Sequence, residues 1–95
     1  MARLTKHTIQ GDDALQGDYS SSDLDIAAVN PNAYGISLFV VGTGNVSIKT
    51  LRGTTITYTN LAANTFVPTP LFTDVLSAGT TSADVIAYLV TKPFH

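Results

Sequence analysis

Two stretches of the chain are apolar without interruption, and two others alternate. "YGISLFVVG" (34–42) and "VIAYLV" (85–90) are runs of β-branched and aromatic residues bounded by turn formers. Both predict central strands covered on both faces. "NVSIKT" (45–50) places Val46 and Ile48 on one side and Ser47 and Lys49 on the other. "TTITYTN" (54–60) sends Ile56 and Tyr58 inward and Thr55, Thr57 and Thr59 outward, the pattern of a half-buried antiparallel strand. Leu51-Arg52-Gly53 is the turn between them, and Gly42-Thr43-Gly44-Asn45 reads as a hairpin loop from the preceding strand. "TFVPTPLFTDVL" (65–76) carries two prolines, which exclude a central position for residues 68 to 70 and predict a strand resuming at Leu71.

The remaining segments are less periodic. Asp23 is a potential cap for a turn of helix, but Pro31 leaves little length, so Ile26 to Val29 is expected to be a strand ended by Asn-Pro-Asn. Residues 1 to 22 show neither period and read as an N-terminal arm, within which "LTKHTIQ" could become a strand by pairing with a neighbour; the alternative is a disordered tail. Six or seven strands at roughly ten-residue spacing predict an all-β fold: an antiparallel β-sandwich or small barrel, jelly-roll-like, over residues 23–95.

Composition sharpens this picture. Ninety-five residues suffice for one core. Charged residues make up 13%, about half the usual share. Fourteen threonines take their place, and all seven acidic side chains are Asp. A net charge of −2 with five scattered basic residues argues against a nucleic-acid surface. No run approaches the roughly 20 apolar residues of a membrane span. The start "MARLTKHTIQGDD" lacks the apolar stretch of a signal peptide, so synthesis and retention in a cytoplasm are expected. Cysteine is absent, so packing alone, including packing between copies, stabilises the fold.

Reactive constellations do not emerge. His7 and His95 lie near opposite termini, and a small enzyme requires them to meet in space. Asp12, Asp13, Asp18, Asp23 and Asp25 lack the spacing of a calcium loop and read as solvated turn carboxylates. "GTGN" leads into a strand rather than a helix, so it offers no phosphate cradle. "NVS" (45–47) matches a glycosylation sequon without an export signal to give it meaning. No catalytic, metal or cofactor residue is assigned. Most of the aromatics fall at positions expected to be core, and Phe94 is the exception at the extreme end.

From about Ser37 to Leu89 the chain resembles the small β-proteins of phage and prophage structural operons, most closely the head spike base proteins of gene transfer agents. The resemblance rests on "TYTN" (57–60), the proline-bearing strand with Pro68, and "SAGTTSADVIAYL" (77–89). In the last, Gly79, Thr80, Thr81, Asp84, Val85, Ile86, Ala87 and Leu89 match the family's A-T-G-T-T-A-x-D-I-V-A-L. Asn64 stands where the family usually has a glycine, and the arm has no counterpart. The resemblance implies a non-enzymatic virion component, a head spike base or capsid decoration protein. Such subunits would form a homo-oligomeric ring on the capsid surface, assembled in the bacterial host cytoplasm, with the major capsid protein, other virion proteins or a spike fibre as partners. The expected interface residues are Arg3, Leu4, Lys6 and Ile9 in the arm, Thr55, Thr57 and Thr59 on the threonine strand, and Phe94. The alternative is a tail- or fibre-associated module binding a host surface or glycan through loops 30–35 and 60–65.

Overall fold

The computed structural model describes residues 7–9 and 14–91. Its elements are β1 (His7–Ile9), β2 (Ala14–Gly17), β3 (Leu24–Asp25), a single helical turn α1 (Ile26–Val29), β4 (Ala33–Val40), β5 (Gly44–Thr50), β6 (Thr55–Leu61), β7 (Thr65–Leu76) and β8 (Val85–Thr91). All strand pairs are antiparallel, in the order β1-β2-β8-β4-β7-β5-β6, with β3 also on β7. The predicted all-β class and antiparallel architecture hold.

β7 turns one sheet into two layers. Its first half, Thr65 to Pro68, pairs with β4, and its second half, Asp74 to Leu76, pairs with β5. β3 takes β4's place beside residues 74 and 75. Between the halves, Thr69, Pro70 and Leu71 stand opposite the lone Ile36, where the register shifts. Both prolines thus sit where a ladder is interrupted or paired on one side only, as a residue without an amide hydrogen requires. The strand therefore does not stop and resume at Leu71. It runs unbroken through a bend.

Two cross-strand rows meet in the core. Leu15, Ala87, Leu38 and Val67 align across β2, β8, β4 and β7. Leu24, Val75, Ile48 and Ile56 align across β3, β7, β5 and β6. All belong to, or pack against, one buried cluster that also takes Tyr19, Ile26 and Phe72. The molecule is accordingly flat, 36 × 35 × 20 Å, as two sheets stacked about 10 Å apart demand.

Several expectations are corrected. Ile26–Val29 is helical: the Ile26 carbonyl accepts from Asn30 N (2.7 Å), and Asn30 Oδ1 from Asn32 N (3.0 Å). Four apolar residues cannot distinguish the two periods. β4 and β5 are not a hairpin, because β7 lies between them; Gly42 to Asn45 instead crosses between layers. The segment 14–22 is not an arm: β2 pairs with β8, and Leu15 and Tyr19 are each 1% exposed. β1 does form by pairing, with β2 of its own chain. The predicted Leu51–Gly53 turn holds, with Gly53 at φ +87° and its amide bonded to the Thr50 carbonyl (2.9 Å). Asn64 adopts φ +61°, a backbone that Asn tolerates.

Candidate functional site

The threonine row stands on β6, which is paired through β5 alone and ends the sheet. Thr55, Thr57 and Thr59 are exposed, while Ile56 and Tyr58 turn toward the core. Partial burial pushes the Tyr58 phenol above its ordinary range. The row is less uniform than alternation implies. Thr57 Oγ1 lies 3.0 Å from Ser47 Oγ, and Ser47 is fully buried under the loop that joins β7 to β8. Thr55 continues instead into a polar row of Lys49, Asp74 and Asp25. Where Asn60 opposes β5, the register shifts; Asn60 takes φ +57° and donates its amide to Asn45 Oδ1 (2.9 Å).

"SAGTTSAD" (77–84) is a clasp made of hydroxyls. Thr80 Oγ1 accepts from the Ser47 amide (2.9 Å) and donates to the Leu76 carbonyl (2.6 Å). Thr81 Oγ1 accepts from Asn45 N (2.9 Å), and Ser82 Oγ donates to the Gly42 carbonyl (2.6 Å). Gly44 (φ +138°) and Gly79 (φ +99°) allow the two crossing connections to approach. A side-chain carbon on Gly44 would stand 2.6 Å from Thr81 Oγ1. These residues satisfy buried backbone groups, so the clasp is structural. The Asp84 carboxylate accepts from the Gln16 side chain (2.9 Å). Burial, and then the Asp84 charge, push the nearby Tyr19 phenol far above its ordinary range.

The outer face of the other layer has a different chemistry. Gln16, Ile86, Phe39 and Phe66 form one row across β2, β8, β4 and β7, and Tyr88, Ser37 and Pro68 form the next. Val90 opposes Tyr34, and Ile36 protrudes from the β4 irregularity. Phe66 is 57% exposed and Ile36 39%. Strands β4 and β8 are central, as predicted; one of their faces is buried in the core, and the other is for the most part half-buried among the described residues. The aromatics are likewise divided: Tyr19 and Phe72 are core, whereas Tyr34, Phe39, Phe66 and Tyr88 face outward. Hydropathy alone could not separate them, because both faces of these strands are apolar.

A groove of about 410 Å³ opens at the seam where the β5–β6 turn approaches the β7 bend. Leu51, Ile56, Pro70 and Leu71 supply an apolar floor, with Arg52 among its lining. Among the described residues, no group of three His or Asp side chains is placed to hold a metal.

Of the expected interface residues, Thr55, Thr57 and Thr59 share one strand. Ile9 lies in β1 opposite Leu15, on the other edge strand of the sheet. Arg3, Leu4, Lys6 and Phe94 lie outside the described residues, as does His95, so the required meeting of His7 and His95 is not part of this picture. Loops 30–35 and 60–65 do not cluster. Ala33 begins β4 and Thr65 pairs with Val40 at its far end, which separates them by about 23 Å of strand. No protein-family model, curated protein or solved structure matches this chain.

Proposed function

We propose that this chain is a non-enzymatic virion structural protein, a head spike base or capsid decoration subunit held on the capsid surface as a homo-oligomer. The observation that carries the reading is the way the sheet ends. β6 is a seven-residue edge strand with no charge and no proline, flanked by exposed threonines. Edge strands of proteins that must remain solitary are ordinarily blunted with lysine, proline or a bulge that turns the edge away. This edge lacks lysine and proline, and its one irregularity, at Asn60, lies near its end; its short hydroxylated side chains suit repeated contact with another protein, because ordering threonine costs less entropy than ordering lysine or glutamate. The sequence resemblance over 37–89 supplies the class of assembly. Head-to-tail contact between two different surfaces of one subunit generates rings where the rotation closes.

Density-gradient sedimentation of virus-like particles from the source organism, probed with an antibody to this chain, tests the reading. The chain should migrate with the particles and leave them under conditions that spare the shell. A chain found exclusively at the top of the gradient overturns the assignment.

A further inference from the structure

We infer that the outer edge of β6 pairs with the same edge of a second copy, antiparallel and centred on Thr57, so that two molecules share one continuous sheet. The inference rests on the homo-oligomer reading and names the partner that this edge takes.

The first observation is where the backbone of β6 points. At the turn, the Thr50 amide donates to the Thr54 carbonyl (2.8 Å), which makes the even-numbered residues of β5 and β6 the hydrogen-bonded partners in their ladder. Odd-numbered residues of β5 face away from β6. The Ser47 amide donates to Thr80 Oγ1 (2.9 Å), and the Leu51 amide to the Leu71 carbonyl (3.3 Å). Thr55, Thr57 and Thr59 of β6 therefore aim their N–H and C=O groups away from β5, to a side where no described strand stands. Such a row of donors and acceptors is a template for a further strand.

The second observation is the order of side chains, which selects the occupant. Residues 55 to 59 read Thr-Ile-Thr-Tyr-Thr, the same in residue class from either end. Cross-strand partners share a face, so β6 paired antiparallel with itself must match odd residues with odd and even with even. Centred on Thr57, the match sets Thr57 against its twin, Thr55 against Thr59, and Ile56 against Tyr58. Threonine pairs, and an aromatic beside a β-branched residue, are favourable cross-strand neighbours, and no like charges meet. Asn60, at φ +57° and beside the register shift, ends the regular stretch on one side, and the Leu51–Gly53 turn limits it on the other. This register alone uses all five regular residues. The sheet's other edge, β1, is three residues long and offers β6 no strand of matching length.

The third observation is the groove at the seam. Ile56 lines it beside Leu51, Pro70 and Leu71. In the same register, Tyr58 of the second copy stands directly opposite Ile56 on that face, so the pairing gives the groove an aromatic neighbour. A five-residue join is small, and its affinity comes chiefly from main-chain hydrogen bonds. It belongs to the weak class of contacts in solution and strengthens where a shell holds many copies together. Closing a ring requires a second, different surface.

Cysteine scanning tests the register, because the chain has no cysteine of its own. Hydrogen-bonded partners in an antiparallel pair stand about 5.5 Å apart at Cα, within disulfide reach. Under mild oxidation, Thr57→Cys should form a disulfide dimer, and so should an equimolar mixture of Thr55→Cys and Thr59→Cys. Either of the last two alone holds its thiols about 13 Å apart along the strand, and should cross-link about tenfold more slowly. Circular dichroism with urea unfolding verifies that each variant folds. The mixture carries the test if Thr57→Cys, which loses the Ser47 contact, does not. Sedimentation equilibrium reads association of the wild-type chain, expected in even multiples of 10.0 kDa. Wild-type association with cross-linking that fails at these positions, or does not discriminate among them, overturns the β6 pair and leaves the homo-oligomer reading standing. A wild-type monomer at about 1 mM, where even a millimolar contact is half-formed, overturns both. Particle attachment is judged separately by the gradient.

Discussion

Gly35 and Phe72 are locked together more tightly than either residue suggests in sequence. The ring of Phe72 is fully buried and lies across Gly35, where a side-chain carbon would stand 2.2 Å from its Cε2 and Cζ atoms. The constraint is space, not backbone strain. Gly35→Ala is therefore expected to destabilise the domain by about 1–3 kcal/mol, the usual cost of overpacking a core that cannot relax. Urea unfolding measures it, and shortening the ring in Gly35→Ala/Phe72→Leu should recover part of the loss. Asp23 offers a test of a different kind. It accepts the Ser77 amide at 2.7 Å, which holds its carboxyl below the ordinary value of 3.8. A depressed folded-state value means that this contribution is present above about pH 4 and fades as pH falls through the folded pKa. Asp23 is almost fully solvated, so the effect is small. Asp23→Asn retains an acceptor oxygen but does not titrate there. Its unfolding midpoint should fall less than that of the wild type between about pH 5 and pH 2.5. A wild-type midpoint no more acid-sensitive than the variant's would refute the assignment.

At the scale of elements, alternation and turn chemistry revealed β5, β6 and their connecting turn with their inward and outward residues in place. They concealed which strands become neighbours. A period of two fixes the faces of a strand but says nothing about what pairs with its edges, so Gly42 to Asn45 resembled a hairpin although β7 intervenes. β2 was hidden for another reason. Four residues between glycines and aspartates carry no detectable period, and their assignment depends on β8, some seventy residues away. The correction changes what truncation should do. An arm spanning residues 1 to 22 could be removed without harm, whereas deletion of residues 1–18 takes away β2 and Leu15. Replacing a buried leucine by alanine alone costs about 2–5 kcal/mol, a large share of the roughly 5–15 kcal/mol that stabilises a domain. The 1–18 deletion should lose its cooperative unfolding transition, while removal of residues 1–6, which include no described strand, should retain it. Thermal unfolding followed by circular dichroism distinguishes the two. A fully cooperative 1–18 deletion would mean that β2 is dispensable.

At the scale of the whole molecule, three surfaces differ in chemistry: a layer carrying Lys49, Asp74 and Asp25 beside hydroxyls, an outer face of β4 and β8 with half-buried aromatic side chains, and the β6 edge. The threonine row was legible as a neutral face, but its three members are not equivalent. Thr57 is tied to Ser47 beneath the 77–84 clasp, so Thr57→Lys would disturb packing as well as contact. Thr59 is exposed and its hydroxyl makes no hydrogen bond among the described residues, which makes it the cleaner probe. Lysine on an edge strand is a common device by which sheets refuse further pairing. Thr59→Lys should therefore change stability by no more than about 0.5 kcal/mol, as is usual for surface substitutions. The same change should sharply reduce the fraction of chain that sediments with particles, because its charge would be buried at the joined edge. Measuring thermal unfolding and particle-bound fraction on one preparation separates these effects. If binding survives at wild-type levels with folding intact, the β6 edge is not the attachment surface; if both fail together, Thr59 is part of the fold's own support.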